Sequence, residues 1–314
     1  MSGYVLRRLL LALPTIMGAS ILIFVIVRLL PGNVALYILG DQATRDAVTN
    51  LEHTLGLDKP FLVQYVDWVS GIVRLDLGNS LLNGRPVTEY LQRSIGVTLN
   101  LAVYTALVSV LLALPLGILS AIHRGTALDH ILQAISISGL SIPTFWLGLI
   151  MLLGLALLFG WTPPLEYVSP FENPFENLQQ MFWPALALGY FEVAALARLV
   201  RSSMLEVLSD DYVRTARSKG LREPVVILRH ALANALLPVV TLAGAQFARL
   251  LGGVIVTETV FNLPGLGSLL VQGVLSRDYP MVQAAVIVAA LAVIVVNLCV
   301  DLLYATIDPR VRYG

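Results

Sequence analysis

Charged and histidine residues divide the chain into six long apolar runs. Residues 9–27 lie between Arg8 and Arg28, 95–122 between Arg93 and His123, and 131–165 between His130 and Glu166. Residues 177–198 are interrupted by Glu192, 231–257 carry Arg249, and 279–307 are apolar as far as Asp301. A helix that crosses a bilayer needs about 20 mostly apolar residues. The pattern therefore predicts six transmembrane helices and an all-α membrane protein. Short strands alternating apolar and polar residues are absent, which argues against an outer-membrane barrel. The first run follows Arg7 and Arg8, as the apolar part of a signal peptide would. It is 19 residues long and leads into Leu29-Leu30-Pro31-Gly32 with no small-residue cleavage site, so it reads as an uncleaved first span.

The connections carry patterns of their own. The longest, residues 31–94, contains Phe61, Leu62, Tyr65, Val66, Trp68 and Val69 at helical spacing, which predicts an amphipathic helix. Pro163, Pro164, Pro170 and Pro174 favour an extended path after the third run. The sequence Val260-Phe-Asn-Leu-Pro-Gly-Leu-Gly267 is expected to turn sharply at its glycines. Twelve Lys and Arg residues lie at the termini and in the even-numbered connections, seven of them between Arg198 and Arg229, against seven in the odd-numbered connections. This bias places both termini on the cytoplasmic side. The expected organisation is a first span at 1–30, an outer loop with short helices at 31–94, a membrane core at 95–307 and a cytoplasmic tail at 308–314.

Composition agrees with a membrane protein and removes several function classes. Of 314 residues, 57% are hydrophobic and only 13% charged, about half the charged share of a soluble domain. Mean hydropathy is +0.81. A net charge of zero argues against a nucleic-acid binder that relies on bulk positive charge. The single cysteine, Cys299, excludes an intrachain disulfide and a thiolate metal cage, and reads as a small buried apolar residue. The four histidines are scattered over three connections, so no metal site is expected. Neither lysine stands in a Gly-Lys-Ser/Thr loop, and His-Glu-x-x-His and Gly-x-Ser-x-Gly are also missing. The chain is thus expected to be neither an ATPase nor a hydrolase.

The most informative stretch is residues 209–238, SDDYVRTARSKGLREPVVILRHALANALLP. Ser209 or Asp210 is placed to cap a helix, with Asp210 and Asp211 complementing its dipole. Tyr212, Val213 and Ala216 share one face, Gly220 is placed to end the helix in a left-handed conformation, and Pro224 to open a second one. Two short Arg-rich helices at an angle would form a knob suited to a groove on another protein. By charge and helicity alone, a positive-inside loop that happens to be helical fits as well.

The run Tyr212-Val-Arg-Thr-Ala-Arg-Ser-Lys-Gly220, followed by Arg229-His-Ala-Leu-Ala-Asn-Ala-Leu-Leu-Pro238, resembles the binding-protein-dependent ABC importer permeases. The resemblance is to their dipeptide, oligopeptide, nickel and glutathione branch, and to the first of its two paired membrane subunits. Arg28-Leu-Leu-Pro-Gly32, Leu55-Gly-Leu-Asp-Lys-Pro60, Asp76-Leu-Gly-Asn-Ser80, Phe261-Asn-Leu-Pro-Gly-Leu-Gly267 and Asp308-Pro-Arg310 extend it over nearly the whole chain. The wider superfamily's Glu-Ala-Ala is Arg214-Thr215-Ala216 here, with Gly220 retained, as in the peptide branch. The resemblance implies a six-helix type I importer subunit in a bacterial inner membrane. Its implied partners are a second homologous permease, two ATPase subunits or domains that bind ATP and Mg, an extracytoplasmic binding protein and the bilayer, with no cofactor in this chain and no nucleic acid. It also implies that the knob docks on an ATPase through Asp211, Tyr212, Arg214, Thr215, Ala216, Arg217 and Gly220.

Charges inside spans are functional candidates by default. Glu192 is expected to face either the translocation pathway or a partner charge. Arg249 reads either as a substrate-carboxylate site or as the counter-charge of Glu192 or Asp301. Glu192 and Arg249 together would complement the two ends of a zwitterionic peptide. Asp301 reads as fixing the last helix against a neighbour, with the pathway as its other possible place. Arg198 and Arg201 read as side chains reaching back to the membrane interface. Gly244, Ala245, Ala248, Gly252 and Gly253 suggest a close helix interface around Arg249.

Overall fold

The computed structural model describes residues 2–29, 34–40 and 43–307, with the side chains of 2–10, 253 and 301–307 outside the description. Its helices are α1 (Ser2–Leu29), α2 (Val34–Leu39), α3 (Arg45–Thr54), α4 (Phe61–Val73), α5 (Val87–Ile122), α6 (Ala127–Ser141), α7 (Thr144–Phe159) and α8 (Pro174–Leu208). After them come α9 (Asp211–Ser218), α10 (Glu223–Val225), a π-helical turn (Val226–Ala231), α11 (Leu232–Gly253), α12 (Ile255–Val260), α13 (Leu266–Leu275) and α14 (Tyr279–Ile307). Among the described residues, five helical segments are long and apolar enough to cross a membrane, and the bent pair α6–α7 makes a sixth if counted as one span. The chain divides into two compact units, Met1–Thr98 with Pro264–Leu298, and Leu99–Leu263 with Cys299–Gly314.

In the first unit the amphipathic pattern at Phe61 does form a helix, α4. Phe61, Tyr65 and Trp68 recur at four and three residues, so they share one face. All three ring systems meet Phe24 of α1, at centroid distances of 5.0, 5.2 and 5.8 Å. Leu62 and Val66 point away and are exposed. The hydroxyls of Ser20 and Tyr65 lie 2.9 Å apart. The Asp76–Ser80 motif is a tight turn. Gly78 has φ +78°, a conformation that favours glycine, and its N–H donates to the Asp76 carboxylate at 2.9 Å. Beyond the turn, the Ser80 hydroxyl and the Leu81 N–H both donate to the fully buried Asp278, which stands just before α14. The motif therefore ties the long loop to the start of the last helix.

In the second unit α8 is the central helix. Asn173 caps it by accepting the Glu176 N–H at 3.3 Å, and Pro174 occupies the first turn, where a missing N–H is harmless. It runs ten residues past the expected end because Leu199, Val200, Met204 and Val207 continue the apolar face; Val200 and Met204 are fully buried. Neighbouring helices approach α8 through glycines. A Cβ at Gly117 of α5 would lie 2.5 Å from the Val200 Cβ, and one at Gly139 of α6 would lie 2.6 Å from the Tyr190 carbonyl oxygen.

Several expectations need correction. The third run is two helices bent by 106° rather than one continuous helix, so that a sixth span, counted across the pair, is a broken one. Pro143 has no N–H to continue the α6 ladder and pushes Ile142 to an extended conformation, φ −95° and ψ 122°. The second half ends at Phe159, closed by Gly160 at φ +64°. The fifth run is interrupted at Val254, so that α12 is separate. In the 260–267 turn the left-handed residue is Asn262, φ 52°, whereas Gly265 is extended; Asn is the non-glycine type that best tolerates this region. Cys299 is exposed. Of the small residues around Arg249, Ala245 and Gly252 are exposed and Ala248 is buried, so this chain covers only part of that set.

Gly117→Ala should destabilise the protein by about 1–3 kcal/mol, because backbone and Val200 block the new methyl group. Gly154→Ala, whose Cβ would meet nothing within 4 Å, should be neutral. Thermal unfolding of both variants in detergent checks the pair.

Candidate functional site

The 209–238 stretch is a knob at the end of α8. Asp210 is the N-cap residue of α9, without the expected side-chain hydrogen bond. Gly220 has φ +78° as its sequence position suggested, and Pro224 lies in the first turn of α10. Val213 and Ala216 turn inward and pack on Val226 of the π-helical turn, with Val207 and Leu208 of α8 beside them. The Tyr212 hydroxyl donates to the His230 carbonyl at 3.3 Å and accepts from the Asn234 amide at 2.7 Å. Ala216 is therefore part of the knob's own core, because the π-helical turn and the end of α8 close over that face. Asp211, Arg214, Thr215, Arg217, Ser218 and Lys219 are exposed. Arg217 is braced by Glu223 at 2.8 Å across the two short helices, and Arg214 stands 3.5 Å from Asp211.

A second feature lies at the bend between α6 and α7. A cleft of about 470 Å³ is lined by residues 140–144 of the bend, by Leu188, Phe191 and Glu192 of α8, and by Arg249 and Leu250 of α11. Glu192 and Arg249 are paired here, one of the two alternatives left open by the sequence. The pair is loose: one guanidinium nitrogen lies 3.3 Å from one carboxylate oxygen. The Glu192 side chain is 8% exposed and that of Arg249 62%. The side chain of Asp301 lies outside the described residues.

A third feature has a different character. Asp129 of α6 is 1% exposed, and Arg201 of α8 grips it with Nε at 2.9 Å and Nη2 at 2.8 Å. Its carboxylate also accepts from the Ser120 hydroxyl, from the Gly125 N–H at 2.9 Å and from the Gln133 amide at 2.7 Å. Arg201 thus does not reach back to the membrane interface; it turns inward, because a buried carboxylate without a counter-charge would cost several kcal/mol. Arg198, one turn earlier, is exposed.

With this geometry in view, the comparisons with known proteins are specific. Residues 113–313 match the family described as binding-protein-dependent transport system inner membrane component, and residues 1–102 match the N-terminal region of such membrane components. The chain belongs to this family. The dipeptide transport system permease protein of Alkalihalophilus pseudofirmus is 38% identical over 333 residues, covering all of both chains. The glutathione transport system permease protein of Salmonella choleraesuis is 40% identical over 313 residues, again over all of both chains. The crystal structure of an amino acid ABC transporter with histidines shares the fold at a TM-score of 0.51 and 15% identity, covering 70% of this chain and 94% of that one. This permease is therefore an all-helical inner-membrane component of a binding-protein-dependent transport system. Among the described residues no cluster of three or more His, Cys, Asp or Glu could hold a metal ion.

Sequence reasoning singled out the permease's knob and its Glu192 and Arg249, and missed Asp129. A signal was present: Thr126-Ala-Leu-Asp129 is a capping pattern, and the Thr126 hydroxyl does accept the Asp129 N–H at 3.4 Å. The partner 72 residues away left no local trace. Arg201→Met should destabilise the permease by about 3–5 kcal/mol by stranding that carboxylate. Glu206→Gln, exposed on the same helix, should change stability by less than about 0.5 kcal/mol. Adding Asp129→Asn to Arg201→Met should recover part of the loss. Unfolding midpoints of the purified proteins measure all three.

Proposed function

We propose that this chain is the permease subunit of an ATP-driven importer that moves dipeptides or oligopeptides inward across a bacterial inner membrane. In this reading it pairs with a second homologous permease, two cytoplasmic ATPase subunits bind ATP and Mg, and an extracytoplasmic binding protein delivers the solute. Both termini and the knob face the cytoplasm, as the positive-inside bias favours. The observation that carries the coupling role is the form of the knob: a short helix with an exposed face of Arg214, Arg217 and Lys219, seated by its apolar side on the last turn of α8. Closure of the ATPases would push on that seat and rock α8. The docking face is then Asp211, Tyr212, Arg214, Thr215 and Arg217; Gly220 shapes the turn and Ala216 supports it from within.

Peptide as cargo is favoured by the dipeptide permease that is 38% identical over the full chain. Glutathione, itself a tripeptide, is the second reading, because a glutathione permease is 40% identical. Purification from native membranes in mild detergent tests both. The expected result is co-purification of a second permease and P-loop ATPases, with a binding protein whose bound ligand identifies the cargo. Isolation of the chain alone, without any P-loop protein, would contradict the proposal. Arg214→Glu with Arg217→Glu should lower ATPase co-purification about tenfold or more, since reversed charge at an interface costs several kcal/mol. Ligand-independent insertion of that variant into the membrane should persist.

A further inference from the structure

The two arginine–carboxylate pairs that α8 makes with the long helices beside it are built in opposite ways, and the contrast is informative. Arg201 and Asp129 form a closed pair: two short hydrogen bonds, side chains 22% and 2% exposed, and three further donors on the carboxylate. Such a pair has nothing left to offer. Arg249 and Glu192 form an open one. A single contact of 3.3 Å is well beyond the roughly 2.7–2.9 Å of a strong charge-assisted bond. A guanidinium carries five N–H donors in a planar fork, and this one gives one of them, weakly, to Glu192. With its side chain 62% exposed, the rest of the fork is presented to the cleft.

The cleft suits an occupant with a carboxylate. Its volume of about 470 Å³ falls within the range of small-molecule sites, about 300–1,000 Å³. Its opposite wall is the broken helix, where Thr144 opens α7 behind Pro143, and Pro143 provides no side-chain cap for the first-turn N–H groups. Those amides add partial positive charge where Pro143 and Thr144 border the cleft. Glu192 is 94% buried, by its 6% exposure, and the Gln246 amide reaches its backbone carbonyl at 3.3 Å. It is thus placed to aim the guanidinium rather than to meet a ligand.

We infer that this cleft is a carboxylate receptor in which Arg249, aimed by Glu192, takes the C-terminal carboxylate of a short peptide during its passage. The inference rests on the peptide-import reading above. It departs from the symmetrical expectation that Glu192 and Arg249 hold the two ends of a zwitterion, because Glu192, though it borders the cleft, is nearly all buried while Arg249 is exposed. Arg249 is a substrate-binding residue and Glu192 a positioning residue.

The test uses the complete transporter in proteoliposomes with saturating binding protein loaded with a radiolabelled dipeptide. The readout is peptide moved per ATP hydrolysed. Arg249→Gln should lower this ratio about tenfold, as expected for loss of a charge-assisted bidentate bond. Arg249→Lys should restore only part of it, since a point charge lacks the fork. The decisive variant is Glu192→Gln with Arg249→Gln, which removes both charges. A receptor is still missing in that variant, so the ratio stays as low as in Arg249→Gln. Return to the wild-type ratio in the double variant would show a merely structural pair and overturn the inference, as would a wild-type ratio in Arg249→Gln. If the wild-type transporter itself moves no peptide, the peptide-import reading fails, and the inference with it.

Discussion

The buried carboxylate of Asp129 is the constraint around which the second unit is arranged. In a membrane protein such a group needs a full set of donors, and here they come from three directions. Ser120 at the end of α5, Gly125 in the following turn and Gln133 on α6 all point to it, and Arg201 of α8 closes the set. The pair stabilises one arrangement of three helices over others, since removing either partner leaves a desolvated charge. Glycines at 117, 139 and 189 then allow the same helices to approach α8 closely enough for dispersion contacts to form along its length.

Arg201 also stands between the two other features of interest. It is seven residues before the end of α8, about 10 Å along the axis, and nine residues after Glu192, about 14 Å in the other direction. One helix, pinned between its ends, therefore carries the seat of the knob and one wall of the cleft. Under the proposed coupling role, a displacement at the knob would reach the cleft as movement of one helix against the bend at Pro143. At the bend one ladder stops with the Ile142 N–H on the Ser138 carbonyl at 3.1 Å and the next begins with the Leu147 N–H on the Pro143 carbonyl at 3.0 Å, and Pro143 has no N–H to join them. In the proposed importer this would be a physical route from docking at the knob to the cleft within a single chain.

Much of this was legible from the order of residues, for identifiable reasons. Apolar runs bounded by charge located the membrane helices, because length and hydropathy are read without knowledge of packing. Gly220 and the Phe61 helix were legible because each depends on local conformation or periodicity alone. The break at Pro143 was obscured by apolar residues on both sides, which keep a broken helix looking like one long span. The inward turn of Ala216 and of Arg201 was not legible, since each depends on which neighbour lies opposite. Cys299 was misjudged for a related reason: its type favours burial, yet on a membrane helix the surface of the chain is itself apolar. The Asp129 network shows the limit most clearly. Its capping pattern is local, but its meaning is set by an arginine on another helix.

The central claim is that this chain is a permease subunit driven through the exposed face of its knob. Cys299 is its only cysteine, so Cys299→Ser provides a background for single-cysteine crosslinking. With Arg214→Cys in that background, a short bifunctional thiol reagent applied to intact membranes should give an adduct whose mass is that of this chain plus a P-loop ATPase. Ala216→Cys, buried in the knob's own core, should give none. An ATPase adduct from position 216 and none from position 214, or no adduct from either in membranes that contain the assembled transporter, would contradict the account.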